Sequence, residues 1–190
     1  MRSALIVVDV QQSFTHRPYF SAEHVPAYLA AQNRLIEGFA ARGLPIVRVF
    51  HVSPGGDAAD PADPFAAASG LVKPLEGLRD FDAALEVRKT RHSALVGTGL
   101  DVWLTEQGIG EIVVSGIRTE QCCETTTRHA SDLGWKVVFV PEATLTFDMT
   151  LPDGSPFRAE DIVARTASVL TGRFAQVLDV SQTLAHVGTH

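Results

Sequence analysis

Glu111-Ile112-Val113-Val114-Ser115-Gly116-Ile117-Arg118-Thr119-Glu120-Gln121-Cys122-Cys123-Glu124-Thr125-Thr126-Thr127 is the stretch on which the reading of this chain turns. Its apolar, β-branched opening has the character of a strand covered on both faces. Gly116 marks a tight turn, and Thr119 stands where a helix N-cap belongs. Cys122 then falls in the first helical turn, where free backbone N–H groups and the positive end of the dipole favour an anion. A thiol placed there is expected to ionise below its ordinary value of about 8.5, and the thiolate is the reactive form.

Working outward, the same alternation repeats. Residues 3–8, 45–52, 86–88, 111–115, 136–140 and 175–179 read as short buried strands. Residues 25–42, 100–107, 121–133 and 159–171 have helical spacing, with Gly43 and Gly108 where two of these helices should stop. Residues 53–70 are rich in Gly, Pro, Ala and Asp and read as a long functional loop. Residues 145–157 are polar and irregular, either a lid or an inert surface loop. The pattern predicts one α/β domain over 1–190, a three-layer α-β-α sandwich around a mostly parallel, roughly six-stranded sheet.

Composition narrows the function. A net charge of −6 gives no attraction to nucleic acid or an anionic membrane, and no apolar run approaches a membrane span. The apolar start is short and ends in Asp9, which suits a first core strand better than a signal peptide. Two adjacent cysteines make a poor staple, so reduced thiols in a cytoplasm are expected.

In parallel sheets, sites lie beyond the carboxyl ends of the strands. Asp9, His51, Lys89 and Cys122 occupy such positions. Desolvation at a strand end should raise the pKa of Asp9 and make it a better base. Lys89 would balance charge between acid and thiol. Bland roles stand beside these: Asp9 as a turn former, Lys89 as part of a solvated basic cluster with Arg88, Arg91 and His92, Cys122 as packing. A Cys–His pair would draw its base from His51, His92 or His129, and His129 lies two helical turns from Cys122. A redox pair of Cys122 with Cys123 lacks the usual spacing.

Three blocks together resemble the isochorismatase-like cysteine hydrolase family: Val7-Val8-Asp9-Val10-Gln11-Gln12-Ser13-Phe14; Lys89-Thr90-Arg91-His92-Ser93-Ala94-Leu95 with Gly97-Thr98-Gly99-Leu100; and Gly116 to Thr126, followed by Gly134-Trp135 and Pro141-Glu142-Ala143-Thr144. The resemblance implies Asp9 as base, Lys89 as positioning cation and Cys122 as nucleophile, with Cys123 left to packing. It implies a non-proline cis peptide between Ile117 and Arg118, and an oxyanion hole from the backbone N–H groups of Arg118 and Cys122. Phe14, His51, Thr119 and residues of the 53–70 loop are expected to line the substrate pocket, with Tyr19, Phe20 or Trp103 nearby. The implied reaction is cleavage of a C–N bond in a small amide, ureide or carbamoyl compound through a thioester. No cofactor is expected, and a homo-oligomer is. The alternatives are vinyl ether hydrolysis, which does not need the cysteine, and a silent small-molecule-binding member of the fold. Two departures stand out. Arg118 occupies a position where many members have a small residue, and would either bind a substrate carboxylate or point into a subunit contact. Where nicotinamidases bind a metal through an Asp-x-His arrangement, this chain has Val49-Phe50-His51, so no tightly bound metal is expected.

Overall fold

The first strand, β1 (Arg2–Val8), is buried from Ser3 onward, so both of its faces need a covering layer. A computed structural model describes residues 1–55, 60 and 62–187; residues 56–59 and 61 of the 53–70 segment lie outside that range. Five further strands flank β1: β2 (Ile46–His51), β3 (Leu85–Lys89), β4 (Ile109–Ile117), β5 (Lys136–Leu145) and a short β8 (Gln176–Val177). They run β3-β2-β1-β4-β5-β8, and every neighbouring pair is parallel.

Alternation along the strands feeds two cores. Leu5, Val7, Val113 and Val138 meet α1 (Val25–Ala41) and α5 (Val180–Val187) on one face. Ala4, Ile6, Val8, Ile112, Val114 and Phe139 meet α2 (Leu100–Glu106) and α3 (Glu124–Asp132) on the other, joined by Leu170 of α4 (Ala159–Leu170). Each such side chain contributes about 1.5–3 kcal/mol by leaving water. The three-layer sandwich with its six-stranded parallel sheet follows from this division.

Several elements differ from the sequence reading. The strand 111–115 extends through Ile117, so Gly116 lies within β4 rather than in a turn after it. β5 runs five residues past Val140 because its pairing with β4 jumps from Val114–Phe139 to Gly116–Thr144. The Pro141-Glu142-Ala143-Thr144 motif forms that irregularity. Residues 145–157 contain a small antiparallel hairpin, β6 (Met149–Thr150) and β7 (Pro156–Phe157). The helix α5 was missed, although a signal for it exists. The Asp179 carboxylate accepts from Gln182 N–H at 2.7 Å, and the Gln182 side chain accepts from Asp179 N–H at 3.0 Å. That reciprocal pair is a capping box.

The switch in strand order falls between β1 and β4, since β2 and β3 lie to one side of β1 and β4 and β5 to the other. Chains diverge there and leave a crevice at the carboxyl ends. Gly116 lets the two strands close beneath it. Its φ is +128°, and a Cβ would collide with the Val8 backbone oxygen. Gly116→Ala is therefore expected to destabilise the protein by about 1–3 kcal/mol or more in urea unfolding, through overpacking against β1 and a backbone angle that suits only glycine.

Candidate active site

Asp9 follows β1 with φ +52°, a left-handed angle that Asp tolerates better than most L-residues. Its N–H donates to Val49 O at 2.9 Å and its carbonyl accepts from Gln11 N–H at 2.9 Å, so the strand end is held on both sides. Lys89 closes β3 and Cys122 follows β4. These three strand ends meet. Lys89 Nζ lies 2.6 Å from Asp9 Oδ2 and 3.3 Å from Cys122 Sγ, and the Cys122 thiol is also within hydrogen-bonding reach of Asp9. The Asp9 and Lys89 side chains are wholly buried.

Burial raises the Asp9 pKa above the usual carboxylate range, and the Lys89 charge only partly opposes it. For Lys89, burial pulls the ammonium down, but Asp9 and Cys122 together outweigh it and the net shift is upward. The Cys122 thiol is pushed well up, first by burial and then by the facing Asp9 charge, with Lys89 pulling the other way. The expected lowering at a helix start is thus corrected. Cys122 sits in a wide turn, Thr119–Cys123, ahead of α3, and desolvation outweighs the dipole there.

Around the thiol lies a cavity of about 160 Å³. Asp9 and Cys122 border it, with Phe14, Tyr19 and Phe65 as its aromatic wall and His51, Ser53 and His92 among its polar groups. Larger hollows exist, one of about 830 Å³ near Glu111, Trp135 and His186. That one lies at the amino ends of the strands, away from the thiol, so size does not locate the site.

Phe14 and His51 stand at the cavity as expected; Thr119 does not. Thr119 is fully buried and donates to Thr144 Oγ1 at 2.8 Å, and Thr144 Oγ1 donates to Pro141 O at 2.8 Å. Nor does Thr119 cap a helix. The residue before the turn is Arg118, with no side-chain cap, and Cys123 N–H reaches back to Arg118 O at 3.2 Å. Phe20 and Trp103 pack into the two cores instead of lining the cavity.

The peptide between Ile117 and Arg118 is cis. The Arg118 side chain is buried, pairs with Glu120 at 3.0 Å, and lies over the Tyr19 ring at 4.8 Å. It backs the aromatic wall within its own chain. Two lining residues escaped the sequence reading, Arg17 and Gln121. Gln121 adjoins the thiol in sequence, a signal that was available. Arg17 has no local signal. It follows a short 3₁₀ turn, Gln12–His16, and reaches Asp63 at 3.0 Å while lying over Phe65 at 4.9 Å. Ser53 donates to the same Asp63 carboxylate. For Asp63, burial works upward, but Ser53, the Phe65 N–H and Arg17 together hold it below the usual carboxylate range. His129 bonds Ser93 at 2.8 Å and does not border the cavity.

Among the described residues, no group of three or more His, Cys, Asp or Glu side chains is placed to share a metal ion, and no helix is long and apolar enough to cross a membrane.

Comparison with known proteins bears on the family and the fold. A Bacillus subtilis isochorismatase-family protein is 27% identical over 182 residues, covering 95% of this chain and 94% of that protein. A streptothricin hydrolase of Streptomyces noursei is 31% identical, covering 92% of this chain and 61% of that one. An isochorismatase-family structure from Chromobacterium violaceum superposes with a TM-score of 0.88 at 27% identity, over 100% of this chain and 95% of its own. The Isochorismatase domain family matches residues 3–173, so a thiol, a carboxylate and an ammonium meet here in a chain that belongs to the isochorismatase family.

Proposed function

We propose that the chain is a cysteine hydrolase that cleaves the C–N bond of a small amide, ureide or carbamoyl compound through a thioester. The observation that carries this reading is the contact of Lys89 with both Asp9 and Cys122 beside one small cavity. The hydrolase name of the Streptomyces noursei relative supports a hydrolytic reaction.

Cys122 Sγ attacks the substrate carbonyl carbon as its proton passes to the Asp9 carboxylate. The carbonyl becomes an oxyanion that the backbone N–H groups of Arg118 and Cys122 receive. Collapse breaks the C–N bond, and the nitrogen leaves with the proton that Asp9 held. A thioester remains. Water then adds to it and gives a proton to Asp9; the C–S bond breaks, sulfur recovers a proton, and the acid departs. Lys89 keeps its charge throughout and steadies the negative charge as it moves between carboxylate and sulfur. Because the resting thiol is held protonated, proton transfer becomes favourable only as the S–C bond forms, which places the stabilisation in the transition state. Vinyl ether cleavage would leave the sulfur at Lys89 without a task.

A panel of small amides and ureides assayed for ammonia release tests the reading. Cys122→Ala is expected to lose roughly 10⁴-fold or more in turnover. Iodoacetamide should label Cys122 in the native protein and reach the fully buried Cys123 only on unfolding; equal native labelling would overturn the choice of nucleophile.

Asp9 must be ionised to accept the proton. Since its pKa is raised from 3.8, the acid limb of kcat/KM should fall above the ordinary carboxylate range. Asp9→Asn should cost roughly 10²- to 10⁴-fold in rate.

Lys89→Met strands a buried carboxylate. It is expected to cost about 3–5 kcal/mol in urea unfolding at neutral pH, and adding Asp9→Asn should recover part of that loss.

A further inference from the structure

We propose that His51 is a positioning residue for Lys89, accepting the third N–H of the ammonium at Nδ1, and that Gln11 holds His51 in place for this purpose. The inference rests on the hydrolase reading of Asp9, Lys89 and Cys122. Lys89 stands on β3, two strands from Asp9, and two strand spacings amount to about 10 Å. Its side chain must therefore cross the end of β2, where His51 is its register partner.

An ammonium has three N–H groups and no lone pair, so each close polar neighbour must accept from it. Three do: Asp9 Oδ2 at 2.6 Å, Cys122 Sγ at 3.3 Å and His51 Nδ1 at 3.2 Å. The ring is then neutral with its proton on Nε2. Burial, Lys89 and His92 lower the His51 pKa to about 4 against the pull of Asp63, so the ring stays neutral, and its one lone pair is engaged by Lys89.

Gln11 fixes the His51 backbone, and so the place from which the ring reaches Lys89. His51 N–H donates to Gln11 Oε1 at 2.8 Å, and Gln11 Nε2 donates to His51 O at 3.0 Å and to Ser13 Oγ at 2.8 Å. Ser13 Oγ in turn donates to Leu71 O at 3.1 Å. Gln11 and Ser13 are fully buried. This gives the Gln11 of the Asp9-Val10-Gln11 motif a task that the reaction itself does not need.

Three variants test the idea. His51→Asn keeps an acceptor near the Nδ1 position, His51→Gln carries its amide further out, nearer Nε2, and His51→Leu has none. His51→Leu and His51→Gln are expected to lose roughly 10- to 100-fold in kcat with little change in KM, and to slow iodoacetamide labelling of Cys122 by a similar factor. His51→Asn should stay close to the wild type in both, with the acid limb of its pH profile unmoved. The idea is overturned if His51→Gln outperforms His51→Asn, which would mean that bulk matters. It is also overturned if the loss lies in KM alone, as for a substrate contact, or if all three variants lose rate and the acid limb together, as for a base. Should the wild type hydrolyse none of the amides, the hydrolase reading fails, while the labelling rates still decide the part played by His51.

Discussion

An ion pair with both side chains wholly buried, Asp9 with Lys89 at 2.6 Å, governs the rest of this molecule. Each charge alone would cost several kcal/mol to take out of water, and the pair is tolerable only while its geometry is good and its remaining donors find acceptors. The fold sets the geometry with backbone, while Cys122 and His51 take the other N–H groups of Lys89. Asp9 is set by a left-handed residue at the end of β1, braced through Val49 on β2, and pressed from the other side by the close passage of Gly116. Lys89 arrives from β3 with just enough stem to cross β2.

The same pair decides what the sulfur is at rest. A helix start next to a lone cysteine would favour thiolate, but here a carboxylate faces the sulfur and both are buried. A thiolate would place two negative charges against one ammonium in a buried site, whereas a thiol leaves one of each sign. The resting state is therefore charge-balanced, and on the proposed mechanism reactivity is withheld until a carbonyl carbon arrives to take up the electron pair. In this arrangement a raised thiol pKa and a raised carboxyl pKa are two aspects of one desolvated cluster.

Much of this was legible before any coordinates. Alternating apolar runs and helical spacing predicted the layers and the parallel sheet, since a strand buried on both faces has to be apolar throughout. Strand-end positions singled out Asp9, His51, Lys89 and Cys122, because strand ends are where parallel sheets expose polar groups. What escaped was set by contacts between distant segments. Thr119 has the composition of a cap, yet its hydroxyl is claimed by Thr144, and only the pairing jump in β5 brings Thr144 there. Arg118 looked too large for its place because the Tyr19 and Phe147 rings that receive it come from elsewhere in the chain. The thiol pKa was misread for a related reason. Local position reports the dipole, but desolvation depends on everything packed around the sulfur.

The cavity wall has a different origin from the reacting groups. Asp9, Lys89 and Cys122 come from the sheet ends, while Phe14, Arg17 and Tyr19 come from the segment after β1, and Ser53 and Phe65 from the segment after β2. Those two segments are tied to each other through Arg17 and Asp63. Changes at the wall residues Phe14, Arg17, Tyr19, Ser53 and Phe65 can therefore reshape a space of about 160 Å³ while Gln11 keeps its hold on His51. Chemistry fixed by strands and selectivity carried by connecting segments is a division that parallel sheets permit, because their loops at one end vary while their cores do not. On the proposed hydrolase reading, the reaction type is written in Asp9, Lys89 and Cys122, whereas the choice among small substrates is written in segments whose shape the strands do not dictate.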